Sequence, residues 1–378
     1  MQVSQVVLKT GDNISVELDK LRASKPSLLL VFAGVDWLKN IAQPLAAMFA
    51  SAIRIGCSTA GEISAAGVSD DTCVVTAVRF EASRLVESST RLASMEDSRE
   101  AGTRLARQLP REGLRAVLIL GQGVAINGSA LIAGLVDVLG TAIPITGGLA
   151  GDAAAFKETW VLDHTGTHPD QIVCVGLYGE RLRFSHGSFG GWSPFGPARK
   201  VTRCENNVLF ELDGEPALEV YKRYLGEHAK DLPGSGLLFP FAMLGSDHAE
   251  VGLIRTILGM DELSGSLTLA GDIDPAGYLR LMHASTDALV DGAETAARAA
   301  SGMGDGDGQR LALLVSCVGR KLVMGGRVEE EIEAVGSVFG RDAVLAGFYS
   351  NGEISPVAGF AACKLHNQTM TVTLIAET

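Results

Sequence analysis

Three carboxylates each follow the last glycine of a glycine-rich turn: Glu62 in GCSTAGE, Asp152 in ITGGLAGD and Glu353 in GFYSNGE. A carboxylate placed there accepts backbone N–H groups of its own turn or, where the turns converge on a cleft, orients a ligand amine or hydroxyl. The residues ahead of each glycine differ between turns: Cys57, Ser58 and Thr59; Gly147, Gly148 and Leu149; Phe348, Tyr349, Ser350 and Asn351. A scaffold alone does not require that difference, so ligand discrimination falls to these positions. Cys317 and Arg320, in SCVGR, end a strand and lead into a helix. Open α/β sheets bind ligands outside the carboxyl ends of their strands, which suits Arg320 to clamp a carboxylate. No basic partner stands beside Cys317, so it reads as core rather than nucleophile. The expected mouth comprises Ser58, Thr59, Arg320, Tyr349 and Asn351, with Glu62, Cys317 and Glu353 beside it.

Each turn closes the same run of elements. An apolar strand begins at Leu28, Ala116 or Leu311; an amphipathic helix follows, carrying Ile41 and Leu45, Leu131 and Leu135, or Ile332 and Val335; a second strand then enters the turn. Meanders such as IVCVGLYG and LRFSHGS come between these runs. The pattern predicts an α/β protein of mixed sheets flanked by helices, built from internally repeated strand–helix–strand units. The first and third runs share a G-x-x-x-x-G-E ending and should be structurally equivalent. A length of 378 residues predicts two domains. The glycine- and proline-rich stretch SFGGWSPFGP puts the boundary between domains 1–197 and 198–378, and SGMGDGDG at 301–308 reads as a flexible link.

Composition narrows the function. A net charge of −12 argues against nucleic acid, which needs a basic face. No apolar run approaches the roughly 18 residues of a membrane helix, and the N-terminus lacks a signal-peptide pattern, so a cytoplasmic protein is expected. The six cysteines have no paired spacing, which favours reduced thiols. Nucleophile-elbow, Walker, dinucleotide and zinc signatures are all missing from the sequence. His164 and His168 are four apart, but DHTGTHPD has a glycine between them and a proline after, which argues against a helical two-histidine metal face.

Several long segments resemble the FIST family of FIST N and FIST C sensory domains: GCSTAGEI, GGLAGD, VTRCENNVLFELDGEPALEVY, SLTLAGDIDPAGYLRLM, LLVSCVGR and GFYSNGEISP. The resemblance implies a non-catalytic sensor of a small-molecule ligand. GGWSPFGP, YLGEHAKDLPGSGLLFP and DALVDGA are similar to the haem-binding, nitric-oxide-sensing NosP branch. That likeness implies haem b as cofactor and a histidine kinase or cyclic-di-GMP enzyme as partner. A non-covalent haem needs one axial imidazole in an apolar pocket. Alternation puts His186 on a face with Leu182 and Phe184, and His283 on a face with Leu279 and Leu281, so these are the two axial candidates. The rivals are a haem-free sensor of an amino acid or other metabolite, and an enzyme using Cys317 or Glu353.

Overall fold

The computed structural model describes residues 1–232, 234–302, 309–357 and 363–378. Most of the run read as a flexible link, residues 303–308, therefore lies outside the described residues.

The first unit comprises β1 (Gln2–Leu8), α1 (Ile14–Arg22), β2 (Leu28–Ala33), α2 (Val35–Met48), β3 (Ile53–Ser58), the hairpin β4 (Glu62–Ser64) and β5 (Gly67–Ser69), and β6 (Cys73–Arg79). The second repeats the order with β7 (Arg84–Arg91), α3 (Ser98–Gln108), β8 (Leu114–Gly121), α4 (Gly128–Leu139), β9 (Ile145–Leu149), the hairpin β10 (Val161–Asp163) and β11 (Gly166–His168), and β12 (Gln171–Tyr178). The third opens with β13 (Leu182–Phe189) and is interrupted by an inserted module. That module holds β14 (Ser193–Glu205), β15 (Val208–Leu212), β16 (Glu215–Pro216), α5 (Ala217–Leu225), β17 (Phe241–Leu244), β18 (Glu250–Arg255), β19 (Ile257–Asp261), β20 (Ser266–Leu269) and β21 (Tyr278–His283). The third unit resumes with α6 (Thr286–Ala300), β22 (Arg310–Cys317), α7 (Val318–Met324), α8 (Glu329–Phe339), β23 (Ala343–Ser350), the hairpin β24 (Gly352–Pro356) and β25 (Cys363–His366), and β26 (Met370–Glu377).

Every unit forms a sheet around one parallel pair, β2 with β3, β8 with β9 and β22 with β23, because a helix crossover joins the two strands. The hairpin after each pair leaves its own unit. Thus β4–β5 extends the third sheet beside β23, β10–β11 extends the first beside β3, and β24–β25 extends the second beside β9. The exchange is cyclic. The inner faces of the three sheets meet in one core, where Phe32 of the first and Phe348 of the third stack at 4.7 Å between ring centroids. The outer faces are covered by helices: α1 and α2, α3 and α4, α6 and α8. Strand β2 is buried at all six residues, as a strand covered on both faces must be.

The repeated strand–helix–strand units are thus present, and the third carries its turn at the same end of the sheet as the first, with the short helix α7 added ahead of its crossover helix α8. The two sequence domains nevertheless share a core, since it draws on Leu28, Leu118, Leu313 and Ile375 alike. The stretch 188–197 is where the chain passes from β13 into the inserted module, and residue 197 lies within β14. The module has its own smaller core of Leu209, Leu218, Tyr221, Leu267 and neighbours. No helix among the described residues is long and apolar enough to cross a membrane.

Candidate functional site

The three turns meet, but they close on one another. Ala60 N donates to Tyr349 O at 2.9 Å and Tyr349 N to Gly61 O at 2.8 Å, joining the first turn to the third. Gly151 N donates to Ser58 O at 2.8 Å, joining the second to the first, and Asn351 N to Leu149 O at 3.1 Å, joining the third to the second. Side chains complete this ring: Ser58 Oγ donates to Gly151 O at 2.7 Å, and Asn351 Nδ2 to Gly123 O at 3.1 Å.

The first and third carboxylates occupy matching cradles. Glu62 accepts Thr59 Oγ1 at 2.5 Å, Thr72 N at 3.0 Å and Thr72 Oγ1 at 2.7 Å. Glu353 accepts Ser350 Oγ at 2.9 Å, Thr369 N at 3.1 Å and Thr369 Oγ1 at 2.8 Å. In both, one hydroxyl comes three residues before the acid and the other from the residue just before the closing strand. Burial raises both carboxyl pKa values against the pull of these hydrogen bonds, that of Glu353 to about 8. Asp152 differs, accepting Phe156 N, Lys157 N and Glu158 N of its own loop at 2.7–3.1 Å.

Arg320, expected at a ligand mouth, is fully buried in α7. Its Nη2 donates to Glu331 Oε2 at 2.8 Å and to Leu289 O at 2.8 Å, and its Nη1 to Gly190 O. Glu331 also accepts Tyr349 Oη at 2.6 Å and Ser316 Oγ at 3.0 Å. Arg320 and Tyr349 therefore serve a buried structural network, because α7 starts at Val318 and its inward face takes residue 320. Cys317 is buried, and burial pushes its thiol far up, as its core assignment requires.

The open site lies one residue further on, against the outer side of the turn ring. A cleft of about 930 Å³ runs over the carboxyl ends of β2 and β3, between the first turn, the loop after Asp152 and α7. Of the expected mouth only Thr59 lines it, and of the residues expected beside the mouth only Glu62. Its other charged residues are Asp36, Asp70, Asp71, Asp152, Glu158 and Lys321, giving six carboxylates to one ammonium among the described residues. Lys321 Nζ donates to Ala60 O at 2.8 Å and to Asp70, and lies 5.3 Å from the centre of the Tyr349 ring. Gly61 sits at φ +136°, a backbone conformation that residues with a side chain rarely adopt. The cleft runs on into an apolar pocket of about 390 Å³, which shares Ala154 and Leu322 with it and is lined by Phe156, Leu237, Ile257 and Leu258. The carboxyl-end rule that singled out Arg320 applies equally to Asp36 after β2, while helical geometry turns Lys321 about 100° away from its buried neighbour.

The chain matches the FIST N domain over residues 27–215 and the FIST C domain over residues 217–356. It belongs to the FIST family. FIST domains are sensory signalling domains that bind small ligands. An uncharacterized protein of Mycobacterium tuberculosis is 28% identical over 268 residues, 64% of each chain. Another from Methanocaldococcus jannaschii is 34% identical over 98 residues, 25% of this chain and 19% of that one. The chain thus spans less than two thirds of the curated relatives it matches. A crystal structure of a cyanuric acid hydrolase from A. caulinodans aligns over 99% of both chains at 9% identity, with a TM-score of 0.37, a likeness too slight to carry chemistry across.

The two haem candidates sit apart from the clefts. His283 is exposed at the end of β21, edge-on to Phe195, beyond the buried Leu279 and Leu281 of the same strand. His186 is half-buried within β13, opposite Thr373 of β26. Neither lines the acidic cleft, nor an apolar pocket of about 440 Å³ beside β13 that holds Phe189, Trp192, Met243 and Met282. The imidazole facing that pocket is His366, buried, its Nε2 3.1 Å from Ser355 O, and burial pulls its pKa down to about 4.

Proposed function

We propose that this FIST protein is a non-catalytic sensor whose ligand is a small metabolite with an amino group, in the simplest case an amino acid with an apolar side chain. The observation that carries this reading is the charge of the cleft at the junction of the three units. Six carboxylates around one ammonium favour a cationic group, and Lys321, released from its pairing with Asp70, supplies the site for a carboxylate among the described residues. The adjoining apolar pocket accommodates the side chain. Buried Cys317 and Glu353 have no open access, which supports binding rather than catalysis. Ligand closing the cleft would pull α7 against the first turn and alter the outer surface, so that the signal leaves by protein contact. A histidine kinase or cyclic-di-GMP enzyme is the partner the family resemblance suggests.

Haem does not fit its two nominated ligands. His283 is exposed, and neither histidine lines the acidic cleft or the apolar pocket beside β13. The test is a thermal-shift and calorimetric screen of amino acids, their decarboxylated amines, and organic acids without an amino group. Amino compounds should stabilise the protein, and Asp71→Asn should weaken them. Asparagine tolerates the positive φ of 54° at that exposed position. Stabilisation by the amine-free acids alone would overturn the reading; a stoichiometric Soret band with hemin, lost in His186→Ala, would reinstate haem.

A further inference from the structure

We propose that Glu87, Asp163 and His164 form a binding site for one divalent first-row transition-metal ion of the Zn²⁺ type, with His168 within reach as a fourth ligand. The ligand atoms of the three side chains lie within 4.8 Å of one another, and no other triad among the described residues does so. Glu87 comes from β7 in the second sheet, whereas Asp163 and His164 come from the end of β10 in the first. His164 Nδ1 stands 2.6 Å from Glu87 Oε1, and His164 N donates to the same oxygen at 3.1 Å. His168 Nε2 is 3.8 Å from Asp163 Oδ1.

The surroundings hold these ligands in place. Thr165 Oγ1 donates to Asp163 Oδ1 at 2.6 Å and lies 2.8 Å from His168 Nε2. Gln171 Nε2 donates to Asp163 Oδ2 at 2.7 Å, and the buried Gln171 Oε1 has no partner. Such outer contacts orient first ligands at metal sites. The four-residue spacing of the histidines gives no helical pair; instead a two-stranded hairpin brings both to Asp163. Mixed imidazole and carboxylate donors suit Zn²⁺ and its first-row neighbours better than Ca²⁺ or Mg²⁺. Binding would take the place of the contact between His164 Nδ1 and Glu87, and would tie the exchanged β10–β11 hairpin back to β7 of its own unit.

The test is titration of the chelator-stripped full chain with Zn²⁺ by calorimetry, and with Co²⁺ by visible absorption. One ion per chain is expected, with Co²⁺ bands of a nitrogen and oxygen site. His164→Ala, at an exposed position that does not threaten folding, and Glu87→Gln should each weaken binding at least about tenfold. His228→Ala, at an exposed histidine elsewhere, should leave it unchanged. Absence of saturable binding, equal affinity in His164→Ala, or loss in His228→Ala instead would overturn the proposal.

Discussion

Arg320 and Glu331 form an ion pair at 2.8 Å with neither side chain reaching solvent. The pair joins α7 to α8. Through the Leu289 and Gly190 carbonyls it also holds α6 and the loop that leads into the inserted module. Removing one partner strands a buried charge, whereas removing both does not.

Arg320→Ala should therefore cost about 3–5 kcal/mol of stability in urea denaturation. Arg320→Met combined with Glu331→Met should recover much of that loss. If the single substitution costs no more than the double, the charges are not coupled as described. Weaker ligand binding in Arg320→Ala would reflect this structural loss, since the residue does not line the cleft.

Lys321 is the residue whose loss should act on the ligand itself. Lys321→Met is expected to weaken amino-acid binding by about 1.5–3 kcal/mol, the worth of one charged hydrogen bond. A decarboxylated amine has no carboxylate to offer and should bind wild type and variant alike. Calorimetry of both ligands separates the two outcomes.

Glu353 sets a pH dependence. Its folded pKa of about 8 lies above the ordinary glutamate value of 4.5, so the folded state holds the proton more tightly than the unfolded state. This contribution is fully present below about pH 4.5 and is lost as pH rises towards 8. The melting temperature of wild type relative to Glu353→Gln should therefore fall steadily across that window. His366 works the other way, its depressed pKa costing stability as pH falls from 6.5 towards 4, but it is common to both proteins and largely cancels in the comparison.

The matched cradles call for matched responses. Thr72→Val and Thr369→Val each delete one hydroxyl hydrogen bond to a buried carboxyl, and each should cost about 1–2 kcal/mol. A large effect at one site and none at the other would show that the resemblance of the two turns does not extend to their energetics.

The elements and their repetition were legible because apolar periodicity and glycine placement are local signals. The turns do meet, but on one another rather than around an open mouth, and Thr59 and Glu62 still reach the cleft. Arg320 was misplaced because strand-end position does not say which side of the following helix faces inward. Glu331, within the acidic run EEE, gave no sign of being buried, since its partners Ser316, Arg320 and Tyr349 come from other elements. The shared core was hidden for a related reason. Hairpin exchange joins strands nearly 300 residues apart, as in the pairing of Phe348 with Glu62, and no local pattern records that.

The cyclic exchange of hairpins also has a consequence for how the molecule is made. During synthesis the first sheet can recruit its foreign hairpin as soon as the second unit emerges. The third sheet can accept β4–β5, and the second can accept β24–β25, only after the inserted module has been translated. Until then β4 and β9 present open edges, and β4 carries Glu62, which lines the acidic cleft. The cleft is thus completed only once α7 and β23 have been made, although fifteen of its nineteen lining residues lie between Thr10 and Glu158.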